Sequence, residues 1–264
     1  MALYADLFRY RDLFLNLFRR ELRAKYKGSL LGLAWTLVNP IVLMGVYTLI
    51  FSVLWHAVTI AHYPVFVVSG LLTWIFVQST LQSSSVSLLG HADLVKQVRF
   101  PRQLLPLAVV ATNFVTALVM LGLVIVVNLI LIPRTRAMLW LALPIVPLLV
   151  ALVSGLAIVV ACINVRYRDV EHLITTILVP WFFLTPVFYT FQSLPGSAHH
   201  SALVNVLHYG NFVAPVLTAI RDPLFFGQGP AAGDVAYAAV AAALSLALGA
   251  IVFRRVDDQL AAEL

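Results

Sequence analysis

The stretch Ile163-Asn164-Val165-Arg166-Tyr167-Arg168-Asp169-Val170-Glu171-His172 sets two arginines, two carboxylates and a histidine between two strongly apolar segments. Such an island fits a buried catalytic cluster, a proton relay or a loop between membrane spans, and the surrounding sequence chooses among them. The 264 residues are 62% hydrophobic and only 11% charged, with a mean hydropathy of +0.97. Soluble domains run at about half apolar and a quarter charged, so this is the composition of an integral membrane protein. A helix needs ~20 apolar residues to cross a bilayer. Six segments qualify, near 30–55, 63–89, 104–132, 138–163, 172–191 and 232–253. The fold class is therefore all-α, with six transmembrane helices in residues 30–264 behind a separate segment at 1–29. That leading segment lacks the short basic start and small-residue cleavage site of a removable signal, so the first span is expected to be retained.

The basic residues orient the chain. Lys and Arg concentrate in the loops on the cytoplasmic side of membrane proteins. Residues 1–29 carry Arg9, Arg11, Arg19, Arg20, Arg23, Lys25 and Lys27; the loop at 90–103 carries Lys96, Arg99 and Arg102; the island carries Arg166 and Arg168; the tail carries Arg254 and Arg255. Only Arg134, Arg136 and Arg221 fall in the alternate set. Both termini and the island are predicted to be cytoplasmic. Topology thus accounts for the net charge of +6, and no nucleic-acid partner is needed to explain it.

Leu3, Leu7, Tyr10, Phe14, Leu17 and Phe18 recur at helical spacing in the leading segment, with Asp6, Arg9, Asn16 and Arg19 on other faces. This predicts an amphipathic helix in the membrane interface, the alternative being a helix packed on a soluble domain. The loop 90–103 mixes Val95, Val98 and Phe100 with Lys96 and Arg99 ahead of Pro101. It suits either a turn resting on headgroups or a docking element for a cytoplasmic partner. The outer segment 192–231 holds apolar pieces too short to span, 203–207 and 212–220, between prolines and glycines. Two short re-entrant or interfacial helices are expected there, with Arg221 and Asp222 capping the second or lining an outer gate.

Several chemistries are excluded. A phosphate-binding P-loop needs Lys followed by Ser or Thr, but Tyr26, Gly28 and Gln97 follow the three lysines. The acidic residues fall in loops, termini or helix ends, which argues against ion coupling through a midplane carboxylate. His199, His200 and His208 lack the i, i+4 spacing and the carboxylates of a metal site, so no metal is expected. The lone Cys162 reads as an inert core thiol. Polar and aromatic stripes remain: Trp74, Gln78, Gln82 and Ser85 on the second span, Trp181, Thr185, Phe188 and Tyr189 on the fifth, and Tyr47, Phe51 and Trp55 on the first. They fit core packing or a path for sugar rings equally well, and Trp55 and Tyr63 fit an interfacial belt.

Tyr26-Lys27-Gly28-Ser29-Leu30-Leu31-Gly32-Leu33-Ala34-Trp35 with Pro40, Tyr47 and Phe51 resembles the opening of permease subunits of ABC exporters for polysaccharides and polyol phosphates, the O-antigen and teichoic acid export permeases. Arg99-Phe100-Pro101, the island 164–170, Thr185-Pro186-Val187-Phe188-Tyr189, and 211–227 with Arg221 follow in the same order across nearly the whole chain. In many relatives proline follows the position of Asn211; here it is Phe212.

The resemblance implies a homodimer in the bacterial inner membrane, joined to two copies of a cytoplasmic ATPase that holds ATP and magnesium. No cofactor would be bound by this chain, which would be a transporter permease and not an enzyme. Lys96, Val98, Arg99, Phe100 and Pro101 would couple to the ATPase, with Arg166, Arg168 and Asp169 beside it. Tyr47, Phe51, Trp181, Thr185, Phe188 and Tyr189 would line a path for a lipid-linked glycan, and the short outer helices with Arg221 and Asp222 would form a gate. A drug or lipid exporter permease shares this layout. A polyprenyl-linked sugar transferase is the alternative from another class, and it would require converging acids.

Overall fold

A computed structural model describes residues 9–28, 32–54, 60–92, 100–193 and 201–263, without the side chains of Leu33 and 257–263. Every regular element among the described residues is helical. The helices are α1 (Arg11–Tyr26), α2 (Trp35–Tyr47, continued by a π-helical turn Thr48–Leu54), α3 (Tyr63–Ser85), α4 (Leu104–Leu131), α5 (Val146–Arg166), α6 (Val170–Leu184), α7 (Ser201–Tyr209), α8 (Ala214–Arg221) and α9 (Ala232–Glu263). Trp55, expected at the interfacial belt, and His199 and His200 lie outside the described residues.

The hydrophobicity of α3 is spread around its whole circumference, as expected of a helix at the centre of a bundle. It packs against α2, α4, α5 and α6, and Phe66, Val67, Leu71 and Val77 are fully buried. The most extensive pairing is between α5 and α9. Helices in lipid gain little from a hydrophobic effect between them and rely on close approach at small residues. A Cβ at Gly155 would run into the Ser245 backbone, and one at Gly249 would sit 2.9 Å from the Gly155 carbonyl oxygen. The Ser245 hydroxyl completes the crossing by donating to the Leu152 carbonyl at 2.6 Å.

Among the described residues, five helical stretches are long and apolar enough to cross a membrane: Trp35–Leu54, Tyr63–Ser85, Leu104–Leu131, Leu139–Arg166 and Ala232–Val256. The span expected at 172–191 is shorter as a helix than the sequence suggests. Proline disfavours helical backbone in the residue before it; Pro186 follows Thr185, whose φ of −93° and ψ of 133° are extended. The 15 residues of α6 reach about 22 Å, and the chain continues without regular helix through Thr190. Two short helices occupy the segment expected to hold them. The stretches Ser201–Tyr209 and Ala214–Phe226 meet at 92° and together form a broken span or re-entrant loop, for up to six crossings.

The amphipathic α1 packs on the bundle. Leu17 is buried with Leu88, Leu104, Leu105 and Phe253, and Tyr10 and Phe14 rest on the same cluster. At its far end Lys25 donates to Asn113 Oδ1 at 2.8 Å and to Thr116 Oγ1 at 3.1 Å, both on α4. Burial pushes the Lys25 ammonium below the usual lysine range. Leu3 and Leu7, expected on the apolar face, lie outside the described residues.

Candidate functional site

Four of the six expected path residues form one aromatic column. Tyr47 and Phe51, one turn apart, have ring centroids 6.2 Å apart. Phe188 stacks on both, at 5.5 Å and 7° to Tyr47 and at 4.8 Å and 23° to Phe51. Tyr189 meets Phe188 edge-on at 5.1 Å and donates to the Phe183 carbonyl at 3.0 Å. The helices beside this column are thinly covered: Ile41, Val46 and Val53 on the first span and Ile177, Val179 and Phe183 on α6 are exposed.

Trp181 and Thr185 belong to a different cluster. Trp181 Nε1 donates to Asn211 Oδ1 at 2.9 Å, and Asn211 Nδ2 donates to Thr185 Oγ1 at 2.8 Å. Trp181 meets Phe212 at 4.7 Å and Trp74 at 5.8 Å, and Thr185 is fully buried. Phe182 joins the clusters, 5.5 Å from Trp74 and 5.8 Å from Phe188. On α3, Gln78 accepts from Trp74 Nε1 at 2.8 Å.

The non-helical run after α6 places unpaired carbonyls inside an apolar bundle, where each would cost several kcal/mol. Two side chains satisfy three of them. Arg221, 3% exposed, donates from its two terminal nitrogens to the carbonyls of Pro186 at 2.5 Å and Val187 at 2.7 Å. Its guanidinium carbon lies 4.1 Å from the centre of the Phe66 ring, a cation–π contact strengthened by desolvation. Tyr63 donates to the Phe188 carbonyl at 2.7 Å; it is buried, not in an interfacial belt, because that carbonyl needs a donor. Gly70 makes the arrangement possible, since a Cβ there would collide with the Arg221 guanidinium and stand 2.6 Å from the Val187 oxygen. Asp222, expected with Arg221 at the gate, is half-buried and lines a cavity of about 630 Å³ under α7.

At the opposite end, the island forms the turn between α5 and α6. Arg166, Arg168 and Asp169 are exposed, and the Arg166 guanidinium lies 5.7 Å from the Tyr167 ring centre. Asn164 is fully buried, donating from Nδ2 to the Ser85 carbonyl at 2.9 Å and accepting the Glu171 amide at Oδ1 at 3.1 Å. Just beyond α3, His91 Nε2 sits 3.1 Å from Glu21 Oε1 of α1. The hydrogen bond to Glu21 raises the His91 pKa, and the same bond lowers that of Glu21. Lys96, Val98 and Arg99 lie outside the described residues. Phe100 packs on the Leu17–Leu88 cluster, and the Pro101 carbonyl accepts the Leu104 amide at 3.1 Å.

The family model for the ABC-2 type transporter matches residues 12–214, from α1 to the start of α8. The chain belongs to the ABC-2 transporter membrane family. It is a multi-pass membrane transporter component. Among its relatives, the O-antigen export system permease protein RfbA of Myxococcus xanthus is 34% identical over 207 residues, 77% of this chain and 78% of the relative. A permease of the same name from Klebsiella pneumoniae is 29% identical over 186 residues, 70% of this chain and 71% of the relative.

In this ABC-2 chain the residues that organise the site include several without an assigned role in the sequence reading. Asn164 and Asn211 open stretches that carry the resemblance, but nothing in the sequence shows which groups their amides bond. Gly70 carries no sequence signal, because its purpose is set by an arginine 151 positions later. Tyr63 and Arg221 are visible as residues but not as partners of one extended segment.

Proposed function

We propose that the chain is the transmembrane subunit of an ATP-driven exporter of a lipid-linked polysaccharide in a bacterial inner membrane. The aromatic column of Tyr47, Phe51, Phe188 and Tyr189 carries this reading. A polysaccharide presents apolar CH faces and hydroxyls in alternation, and a series of rings with a hydroxyl at the edge offers sequential weak stacking sites. The naming of the relatives as O-antigen export permeases supports the same substrate class.

The column stands on the first span and the run after α6, beside thinly covered helices, so a second copy facing them would close a path between two subunits. In this reading ATP and magnesium belong to a separate cytoplasmic ATPase, in keeping with lysine contexts that do not match a P-loop. Its docking surface would combine the loop at 90–103 with the exposed Arg166, Arg168 and Asp169. The Lys and Arg distribution supports a cytoplasmic location for that end and for both termini.

The test is co-purification with a candidate ABC-type ATPase from the same organism, followed by ATPase assay in proteoliposomes. A stable complex whose ATP turnover responds to lipid-linked glycan is expected. An Arg168→Glu variant that keeps both association and turnover would remove the docking assignment. Glycan turnover by the isolated chain would instead identify a transferase.

A further inference from the structure

The gate end contains an open cavity of about 630 Å³ bordered by the run after α6, the short helices α7 and α8, and the start of α9. Its volume falls within the roughly 300–1,000 Å³ range of small-ligand sites. Its wall combines the aromatic residues Phe191 and Tyr209 with the polar residues Asn205, Asp222 and Asp234. Arg221 and His208 also border it, and His208 Nε2 pairs with Asp234 Oδ1 at 2.8 Å. Arg221 faces two carboxylates in this wall, and Asp234 is already held by His208, so the wall suits a hydroxylated ligand better than an anion.

The rings around the cavity continue the aromatic column. Tyr189, its last member, lies 5.9 Å from Phe191, which lies 5.4 Å from His208. His208 is 4.6 Å from Tyr209, and Tyr209 is 5.6 Å from Tyr237 on α9. An unbroken sequence of ring contacts therefore runs from Tyr47 to the last span.

We propose that this cavity binds a single neutral glycosyl unit of the exported polymer, as a terminal subsite at the gate. Its link to the polymer rests on the export function proposed above. Phe191 and Tyr209 supply apolar faces for the sugar ring. Asn205, Asp222 and Asp234 address its hydroxyls. Neutral sugars suit the site because carboxylates and an amide accept from hydroxyls without requiring a counter-ion.

Saturation-transfer NMR on the full chain, held in a detergent without a sugar headgroup, tests this with methyl β-D-galactopyranoside, methyl α-D-mannopyranoside and methyl α-L-rhamnopyranoside. At least one glycoside should show transfer, and affinity should fall about tenfold in Asn205→Ala or Asp222→Asn. Asn205 is exposed and the second change is nearly isosteric, so a thermal midpoint close to wild type checks the fold of each. Absence of transfer from all three glycosides, or transfer unchanged in both folded variants, overturns the assignment. Polymer export, measured in cells, is the separate arm. Normal export without glycoside binding removes the subsite alone, whereas glycoside binding without export support removes the exporter reading and leaves the subsite standing.

Discussion

Asn164 donates to the Ser85 carbonyl at 2.9 Å and accepts the Glu171 amide at 3.1 Å, so one buried side chain joins the ends of α3 and α5 to the start of α6. The charged island is thereby fixed to the helix that leads into the loop at 90–103. Asn164→Leu removes both bonds and leaves a buried carbonyl and amide without this partner, at a cost of about 1–3 kcal/mol. A lower thermal midpoint in detergent is expected, together with weaker stimulation of the ATPase. An unchanged midpoint would show that these helix ends are held by other contacts.

Gly70 and Arg221 form a second coupled pair. Gly70→Ala sets a methyl group against the Arg221 guanidinium and the Val187 carbonyl, and overpacking of a tight site costs ~1–3 kcal/mol. Arg221→Met should be worse than Arg221→Lys, because it strips the Pro186 and Val187 carbonyls of their donors while lysine retains one. Protein yield and melting temperature in a matched detergent give the order. Equal behaviour of the Met and Lys variants would remove the carbonyl-satisfying role.

The Glu21–His91 tie carries a pH dependence. The His91 pKa is raised, so its contribution is fully present below about 6.5 and is lost as pH rises through the folded value. The Glu21 pKa is lowered, so its contribution is present above the usual carboxylate value and is lost as pH falls through the depressed one. The tie is strongest between these limits, in mildly acidic solution. A partly exposed pair of this kind contributes about 1 kcal/mol or less. The stability difference between wild type and His91→Gln, followed by thermal unfolding, should shrink as pH rises above neutrality; a difference flat across that range would contradict the tie.

Within the column, ring and hydroxyl separate by substitution. Tyr189→Phe keeps the edge contact with Phe188 and loses the bond to the Phe183 carbonyl, so export should remain close to wild type. Tyr189→Ala removes the ring, and with an aromatic contact contributing ~1 kcal/mol, export should slow by roughly fivefold. Equal rates for the two variants in a pulse-chase export assay would reduce Tyr189 to packing.

Much of the fold is legible in the sequence because apolar runs of spanning length have one solution in lipid. The first four spans and the last lie where their runs predict. The fifth does not extend through its apolar run: Thr185-Pro186-Val187-Phe188 is as hydrophobic as a helix, and only Pro186 signals an extended path. Tyr63 has the position of a belt residue, yet it turns inward to a carbonyl that exists only because that helix ends early. The aromatic stripe expected on the fifth span likewise divides, Phe188 and Tyr189 in the run after α6 joining the column while Trp181 and Thr185 turn to Asn211. A helical stripe defines one face; which neighbour that face meets depends on helices distant in sequence.

The central claim, export of a lipid-linked polysaccharide, is tested most directly by depleting the chain and measuring the polymer on each side of the membrane with an antibody, in intact and in permeabilised cells. Lipid-linked polymer should disappear from the surface and accumulate inside, and re-expression of the wild-type chain should restore it. Undiminished polymer at the surface of depleted cells would contradict the account.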